Sequence, residues 1–344
     1  MIELQAPIGI READRSDHAR IESFVRAQPD ATPFHLTTWS EAVALGCGQR
    51  SRYLIAERAD GGIAGVLPLT DIRSRLFGRA LVSAGFGVGG GVLGGSVEAL
   101  ASGAVALAKR IGTGSVELRG GSLPGGWARD ETSYLGFARS LAADDDAELK
   151  AIPRKQRAEV RRAQGFDLAV SVGRGAQDLD THYRVYAESV RNLGTPVFPR
   201  ALFRHVINVM DADILTVSLQ GVPVASVLSL YLDGTVYPYW GGGTAASRAV
   251  RAHDHLYFSL MRHARARGCT RFDFGRSKTG TGAAAFKKNW GFTPKPLAYA
   301  RHSDGPVRVV NPLDPRYAMM VATWKRLPLW LANRLGPPIA RGLG

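Results

Sequence analysis

Two stretches of the chain show the same order of strand-like and helical apolar patterns. Each begins with two apolar, strand-like segments that a glycine turn joins, which predicts a β-hairpin. The hairpins cover residues 53–69 and 214–230. Within them, Val66-Leu-Pro-Leu and Val227-Leu-Ser-Leu superimpose at an offset of 161 residues. A repeat of this length is too long for a solenoid and indicates two copies of one domain.

Each hairpin is followed by a glycine cluster and then by a segment with helical apolar periodicity. The periodicity predicts helices over 97–111 and 255–267, which stop at Gly112 and Gly268, a usual residue after a helix. A short strand follows each helix, as in a βαβ unit. Helices are also predicted over 38–45, 180–190 and 200–210. The predicted fold class is α/β (α+β), with two tandem domains that are each a mixed β-sheet flanked by helices.

A polar stretch, Ala143-Asp-Asp-Asp146, marks the expected division between the copies. Residues 1–145 are expected to form a first, degenerate domain. Residues 146–310 are expected to form the second domain, which carries the main site. Residues 311–344 form a basic C-terminal segment rich in Trp and Leu.

Composition and charge narrow the functional classes. The chain has 344 residues, of which 45% are hydrophobic, which excludes a wholly disordered protein. Its two cysteines form no CxxC motif, which excludes a disulfide scaffold and a Cys-rich zinc site. Without a long apolar run or a basic-then-apolar leader, we expect a cytoplasmic protein. The net charge of +14 attracts anions such as nucleic acid, acidic membranes and phosphorylated substrates, and residues 150–162 hold six basic residues against one Glu.

Three short motifs have a functional interpretation and a simpler one. Gly85-x-Gly87-x-x-Gly90 matches a dinucleotide fingerprint, but no helix opens directly after it, which favours a glycine-rich connection. Asp273-Phe-Gly has no kinase motifs around it. His253-Asp-His255 has no accompanying ligand cluster and favours a turn or a helix cap over a metal site.

The second copy holds the richer chemistry. Tyr239-Trp-Gly241-Gly242-Gly243-Thr244 ends a strand and leads into a helix. Glycine lets backbone N–H groups approach a ligand, and a helix N-terminus adds partial positive charge, which together suit a pyrophosphate, a carboxylate or an oxyanion. Two further stretches, 273–282 and 286–292, would meet it at the carboxyl ends of the strands. The alternative is glycine turns with solvated Lys and Arg side chains.

The C-terminal stretch from Trp324 to Leu335 mixes Trp and Leu with Lys and Arg. This pattern is typical of a segment that lies in a membrane interface. Pro328 interrupts it, so a C-terminal helix docked on the protein is the alternative. The first interpretation implies peripheral contact with acidic lipid on the inner face of the cytoplasmic membrane.

Taken together, these residues resemble the FemAB-like family, in the acyltransferase superfamily with the GNAT fold, and especially its subgroup associated with exosortase/PEP-CTERM systems. The stretches that carry the resemblance are 151–157, 186–199, 223–228, 239–244, 272–278 and 286–291. The resemblance implies two tandem GNAT-like domains. It also implies transfer of an acyl or aminoacyl group to an amine of a cell-envelope or exopolysaccharide-related acceptor, which is a small molecule or is linked to a glycan.

The resemblance also implies roles for individual residues. The family pattern F-K-x-x-[FW]-G matches Phe286, Lys287, Trp290 and Gly291, and its Lys is associated with the donor site and with stabilising charge in the transition state. We expect Lys287, Asp273 and Tyr239 to be catalytic, as the oxyanion donor, the group that binds or deprotonates the amine, and the leaving-group acid. The expected donor or phosphate ligands are Gly241, Gly242, Gly243, Thr244, Arg276, Ser277 and Lys278. The expected acceptor or anion ligands are Arg154, Arg157, Asn192 and Thr195.

The donor class stays open at this point. No clear [QR]-x-x-G-x-[GA] pyrophosphate signature follows Trp240, so acyl-CoA and aminoacyl-tRNA both remain as co-substrates. No permanently bound cofactor and no metal is expected. The alternatives are an aminoacyl-tRNA-dependent peptidoglycan-type aminoacyltransferase, a non-catalytic scaffold of a polysaccharide export system, and a protein that binds tRNA or other nucleic acid through the basic 154–162 helix.

Overall fold

The described residues of the chain form two compact units. The computed structural model describes residues 8–74, 76–305 and 315–343, with the backbone alone for 315–318. Unit 1 takes in 8–132, 297–305 and 339–343, and unit 2 takes in 133–296 and 315–338. The expected boundary at 310/311 lies outside the described residues.

Unit 1 is an eight-stranded sheet with helices, its elements being numbered in chain order through both units. Its helices are α1 (His18–Arg26), α2 (Thr37–Cys47) and α3 (Val97–Ile111). Its strands are β1 (Gly9–Glu12), β2 (Arg50–Glu57), β3 (Ile63–Ser74), β4 (Gly78–Ser83), β5 (Leu93–Gly94), β6 (Ser115–Arg119), β7 (Ala128–Asp130) and β15 (Tyr299–Ser303).

Unit 2 is built around a seven-stranded sheet. Its strands are β8 (Tyr134–Ser140), β9 (Leu168–Gly173), β10 (Ala212–Leu219), β11 (Val222–Leu232), β12 (Thr235–Gly243), β13 (Arg271–Lys278) and β14 (Pro294–Pro296). Its helices are α4 (Asp145–Ala151), α5 (Arg154–Gln164), α6 (Ala176–Leu193), α7 (Arg200–Val209), α8 (Ala252–Ala266), α9 (Gly282–Asn289), α10 (Pro315–Arg326) and α11 (Leu329–Ala340). The last two residues of α11 are counted with unit 1.

The two sheets have the same strand order, which confirms the predicted duplication. The order is β1-β2-β3-β4-β6-β15-β7 in unit 1 and β9-β10-β11-β12-β13-β8-β14 in unit 2. In each unit the strands on either side of the crossover helix are parallel, β4 with β6 and β12 with β13. Both predicted hairpins and the helix 97–111 are confirmed, and the helix predicted over 255–267 runs from Ala252 to Ala266.

Each sheet is completed by a strand that comes from the other half of the sequence. Strand β8 follows unit 1 along the chain, yet it pairs with β13 and β14 in unit 2. Strand β15 follows the strands of unit 2, yet it pairs with β6 and β7 in unit 1. The division expected after residue 145 therefore falls beyond β8, whose seven residues belong to the second sheet.

The crossover helices pack because their apolar positions recur every three or four residues. In α3, Leu100, Ala104 and Leu107 are buried against the sheet of unit 1. In α8, Leu256 and Leu260 belong to the core of unit 2. Gly112 takes the left-handed conformation (φ 73°) directly after α3, and Gly268 does the same (φ 82°) just beyond α8, as predicted from the glycines.

The glycine-rich segment of unit 1 is a packed connection. A Cβ at Gly85 would lie 2.7 Å from the Thr70 Cβ, and one at Gly90 would lie 2.1 Å from the Ala84 Cβ. Val92 forms a β-bridge with Gly121 beyond the end of β6. The space at the ends of β4 and β6 is thus taken by the unit's own chain, which supports a glycine-rich connection over a dinucleotide site.

Among the described residues, no helix combines the length and the apolar composition that crossing a membrane requires.

Candidate active site

The two central parallel strands of unit 2 separate shortly after they begin. Strands β12 and β13 pair at Thr235 with Arg271 and at Val236 with Phe272, and no later residue of either strand continues this pairing in the described chain. Their other edges remain paired, β12 with β11 and β13 with β8. We call the resulting opening, from Tyr237 on β12 and Asp273 on β13 onwards, the strand cleft. Backbone edges inside a sheet can hydrogen-bond an extended ligand as an added strand would.

Lys287 extends from α9 to the backbone of β13, the strand that forms one side of the strand cleft. Thr281 caps this helix, its hydroxyl accepting from the Ala284 N–H at 3.4 Å. The Lys287 Nζ donates to the Arg276 carbonyl at 2.9 Å and contacts the Gly275 carbonyl at 3.4 Å. Burial lowers the pKa of the Lys287 ammonium to about 8. The ammonium is therefore still mostly protonated at neutral pH, and its third N–H remains for a ligand.

Asp273 lies on β13 beside Lys287. Its Oδ1 accepts from the Gly275 N–H at 2.8 Å, and the backbone bulges here, with Gly275 at φ 67°. Burial raises the pKa of the Asp273 carboxyl, and the Gly275 hydrogen bond and the charge of Lys287 oppose this only in part. A carboxylate with a raised pKa accepts a proton more readily than one exposed to water.

Tyr257, to which no sequence motif pointed, lies over β12. It belongs to α8, and its hydroxyl would lie 2.8 Å from a Cβ at Gly241. Its ring meets Phe274 of β13 edge-on at 4.6 Å between centroids. Burial raises the pKa of the Tyr257 phenol to about 12, so the hydroxyl keeps its proton at neutral pH. A protonated hydroxyl between the two strands can donate to a ligand in the strand cleft.

Tyr237 is a second group that was not predicted from the sequence. Tyr237 and Asp273 are the next residues of β12 and β13 after the last paired positions, and burial, followed by the charge of Asp273, raises the pKa of the Tyr237 phenol. Tyr239 instead lies at a bulge, because Leu228 faces Trp240 while Ser229 faces Pro238. This extra residue breaks the strand alternation that would have put the two tyrosines on one face.

Glycines 241–243 belong to strand β12, and because glycine has no side chain, neighbouring residues pack closely against them. They face Val227, Ser226 and Ala225 of β11. A Cβ at Gly242 would lie 2.7 Å from the Ser189 Cβ on α6, and one at Gly243 would lie 2.4 Å from the His253 Cε1.

The loop after these glycines does not open directly into a helix, contrary to the expectation from the sequence. The Thr244 amide and hydroxyl both donate to the Val224 carbonyl, at 2.9 and 3.4 Å. A short 3₁₀ turn over Ala245–Arg248 then precedes α8. Close packing thus explains the glycines by itself, and their role as amide donors stays a prediction.

The other predicted donor residues follow Asp273 on β13. The Arg276 guanidinium stacks 4.8 Å over the Tyr134 ring. Ser277 is buried, and its Oγ has no hydrogen-bond partner in the described part of the chain. Lys278 ends the strand, opposite Tyr134. Arg276 is thus beside Lys287, whereas Ser277 is turned into the protein.

The predicted acceptor residues lie in two separate places, at the start of α5 and around the end of α6. Arg154 and Arg157 lie at the start of α5, directly after Pro153. Pro153 packs against Gly291, because a Cβ built on Gly291 would lie 3.1 Å from the Pro153 Cδ. Asn192 is exposed at the end of α6, and Thr195 is exposed just beyond it. The structure places the start of α5 near the end of α9, and it does not join Asn192 and Thr195 to that region.

A buried carboxyl lies between α5 and α8. Asp254 accepts a hydrogen bond from the Gln156 amide, and burial followed by the charge of Glu159 raises its pKa to about 6. In the described chain no group of three or more His, Cys, Asp or Glu side chains is arranged to hold a metal. Asp254 lies in the first turn of α8, and its carboxyl contacts α5 instead of capping its own helix, so the predicted role in a turn or a helix cap is wrong.

Comparisons with known proteins agree with this architecture. Residues 150–288 match the family described as an acetyltransferase (GNAT) domain. The crystal structure of FemX is similar over 84% of this chain and 96% of its own, with a TM-score of 0.65 and 16% identity. A search of curated proteins finds no significant match.

Two further solved structures are similar over most of the chain. The C-terminal domain of a protein assigned as a lysylphosphatidylglycerol synthetase, from Agrobacterium fabrum, covers 90% of this chain and 97% of its own at a TM-score of 0.57 and 14% identity. A tandem GNAT protein from the clavulanic acid biosynthesis pathway covers 88% of this chain and 100% of its own, at a TM-score of 0.55 and 11% identity.

The fold and the partial family match define the class of architecture: the chain has the GNAT fold, and residues 150–288 match an acetyltransferase (GNAT) domain. Its two units have the same strand order, and the similarity to FemX and to the tandem GNAT protein extends over most of the chain.

Proposed function

We propose that unit 2 transfers an acyl or aminoacyl group from an activated donor to the amine of a cell-envelope or exopolysaccharide-related acceptor. The observation that carries this proposal is the placement of Asp273 where the strand cleft opens, with Lys287 bonded to the backbone of the same strand. The carboxyl has a raised pKa and the ammonium a lowered one. An acid–base pair tuned toward neutrality in a cleft is typical of a catalytic site.

In the proposed reaction, Asp273, Lys287 and a tyrosine each have a separate role. The amine nitrogen forms a bond to the donor carbonyl carbon, and the bond from that carbon to the leaving sulfur or oxygen breaks. Asp273 takes the proton that the amine loses. The Lys287 N–H left over from its two carbonyl contacts stabilises the oxyanion of the tetrahedral intermediate. A tyrosine hydroxyl returns a proton to the leaving group, and Tyr257 joins Tyr239 as a candidate for that role.

Two donor classes are consistent with this site. One similar structure belongs to a protein named as a lysylphosphatidylglycerol synthetase, which refers to an amino acid joined to a lipid, and the tandem GNAT protein is described in a form without AcCoA. An extended donor arm hydrogen-bonded along the strand cleft would present its carbonyl between Lys287 and Asp273 in either case. Cytoplasmic location, and the association with exosortase/PEP-CTERM systems that the resemblance implies, belong to the same proposal.

A basic helix face next to the site suits donors or acceptors with phosphate groups. Arg154, Lys155, Arg157 and Arg161 on α5 make no ion pair with a described residue, whereas their neighbour Arg162 pairs with Glu159. Unneutralised cations attract phosphates. A nucleic-acid contact through this face would weaken steeply as salt rises, and a small nucleotide-linked substrate would depend on salt much less.

The experiment screens donors against the purified full chain. Acetyl-CoA, longer acyl-CoAs and aminoacyl-tRNA are each incubated with a mixture of amino sugars, and amide products are detected by mass spectrometry. We expect one donor class to be consumed, and Lys287→Met to slow turnover by ~10²–10³. The matched control is Lys288→Met, an exposed neighbour on the same helix.

Two outcomes would contradict the proposal. Full turnover by Lys287→Met would remove the role of this lysine. Failure of every donor class to be consumed or to stabilise the chain would favour the non-catalytic alternative.

A further inference from the structure

The last two helices of unit 2 expose large apolar side chains. Met319 is 78% exposed and Met320 64% exposed on α10, and Trp330 is 68% exposed on α11. Leu335, also on α11, is 43% exposed. Side chains of this size are rarely left in water together on adjacent helices unless they contact something.

The same two helices carry basic side chains, and the segment that contains them has no acidic residue up to residue 338. Residues 315–338 contain four Lys or Arg and no Asp or Glu. Lys325, Arg326 and Arg334 are exposed, and none of the three forms an ion pair within the described residues. We call the set the amphipathic surface; its members are Met319, Met320, Lys325, Arg326, Trp330, Arg334 and Leu335.

The opposite faces of α10 and α11 are fixed to unit 2. A Cβ at Gly194, beyond the end of α6, would lie 2.5 Å from the Val321 Cγ1 of α10 and 3.3 Å from the Lys325 Cε. The exposed Lys325 therefore lies at the edge of the amphipathic surface, with its aliphatic stem along the packed side. A Cβ at Gly336 of α11 would lie 3.0 Å from the Val197 backbone N. Ala332 is 2% exposed. The amphipathic surface is therefore the outer side of a packed layer, and the exposure of its side chains follows from that packing.

We propose that the amphipathic surface binds a lipid bilayer that contains anionic phospholipid. Trp and Met side chains would enter the interfacial region, while Lys325, Arg326 and Arg334 contact the lipid phosphates. A second copy of the chain is a poorer occupant, because two such surfaces would bring only positive charges together on molecules of net charge +14. The proposal stands on the charge and exposure of unit 2 and holds whether or not the acyl transfer is demonstrated.

The experiment is flotation of the full chain with vesicles of phosphatidylcholine alone or mixed with phosphatidylglycerol. We expect binding to the mixed vesicles only. Changing Lys325, Arg326 and Arg334 together to Gln should weaken it by ~100-fold, at about fivefold for each charge. Changing Met319, Met320 and Trp330 to Ser should weaken it by at least ~10-fold.

The matched control removes the same charge elsewhere. Lys109, Arg184 and Lys295 are exposed, and changing all three to Gln lowers the net charge equally without touching the amphipathic surface. We expect this control to keep more than half of the wild-type binding. A second measurement requires only a single substitution. Brominated lipid should quench the tryptophan fluorescence of the wild-type chain, and Trp330→Phe should abolish most of this quenching.

Three results would overturn the proposal. The first is no binding to either vesicle, and the second is an equal loss in the control and in the Lys325/Arg326/Arg334 variant. The third is concentration-dependent dimerisation that Trp330→Ser removes, which would assign the surface to a second copy of the chain.

Discussion

Replacing Lys287 with Met should make unit 2 more stable at neutral pH. The pKa of this ammonium is lowered from 10.5 to about 8 because it is buried. That difference corresponds to about 3 kcal/mol of unfavourable free energy for the charged form in the folded state. The variant also loses the contacts of Nζ with two carbonyl oxygens, at ~1 kcal/mol for a hydrogen bond. Subtracting the two lost hydrogen bonds from the electrostatic cost leaves a net gain of about 1–2 kcal/mol.

The gain should disappear at high pH, and this identifies its cause. Below about pH 8 both the folded and the unfolded chain carry the charge, so the cost is fully present. Between the folded and the unfolded pKa the folded chain releases the proton first, and wild-type stability rises with pH. By pH 10 less than about a third of the electrostatic cost remains.

The assay is thermal unfolding of both proteins at pH 7 and pH 10. At ~2–4 °C for each kcal/mol in a domain of this size, the variant should melt several degrees higher at pH 7 and almost level with the wild type at pH 10. Lys288→Met, an exposed neighbour on α9, should show no such gain at either pH. A Lys287→Met protein that melts lower than the wild type at pH 7, or whose gain is the same at both pH values, would refute the reasoning.

Three more predictions concern neighbouring groups. Asp254→Asn should stabilise the chain by ~1–2 kcal/mol at pH 7 and not near pH 4. Burial raises the pKa of Asp254 to about 6, and the free-energy cost of burying this carboxyl exists only where it is ionised. Chemical unfolding at the two pH values measures the difference. Gly242→Ala should cost ~1–3 kcal/mol by crowding Ser189, and the double variant with Ser189→Gly should lose less than the sum of the two single changes. Asp273→Asn should slow acyl transfer by ~10²–10⁴ and remove the rise of the rate with pH that accompanies ionisation of this carboxyl. An unchanged pH–rate profile would exclude it as the base.

The sequence predicted the parts of the fold that local patterns specify. The hairpins and the two crossover helices follow from apolar spacing, and Gly112 and Gly268 mark where those helices stop. The exchange of β8 and β15 was not predictable in this way. A short strand carries a period of two residues but no information on which distant strand it pairs with.

The candidate site shows the same limit. Asp273 and Lys287 could be placed together because β13 and α9 follow one another along the chain. Tyr257 was missed because a tyrosine within an apolar helical pattern looks like a core residue. The glycines 241–243 pointed to amide donors, whereas close packing on Ser189, Tyr257 and His253 already accounts for them. A bare sequence cannot tell which neighbour fills the space that a glycine leaves.

The strand exchange has a consequence for any attempt to dissect the molecule. A fragment that ended before β8 would lack β15, and one that started after β8 would lack the partner of β13. Either fragment would expose the unpaired edge of a β-strand, and such an edge promotes self-association. Each sheet thus depends on hydrogen bonds to one strand from the other half of the sequence, so a single cut in the chain between β7 and β8 leaves both sheets incomplete.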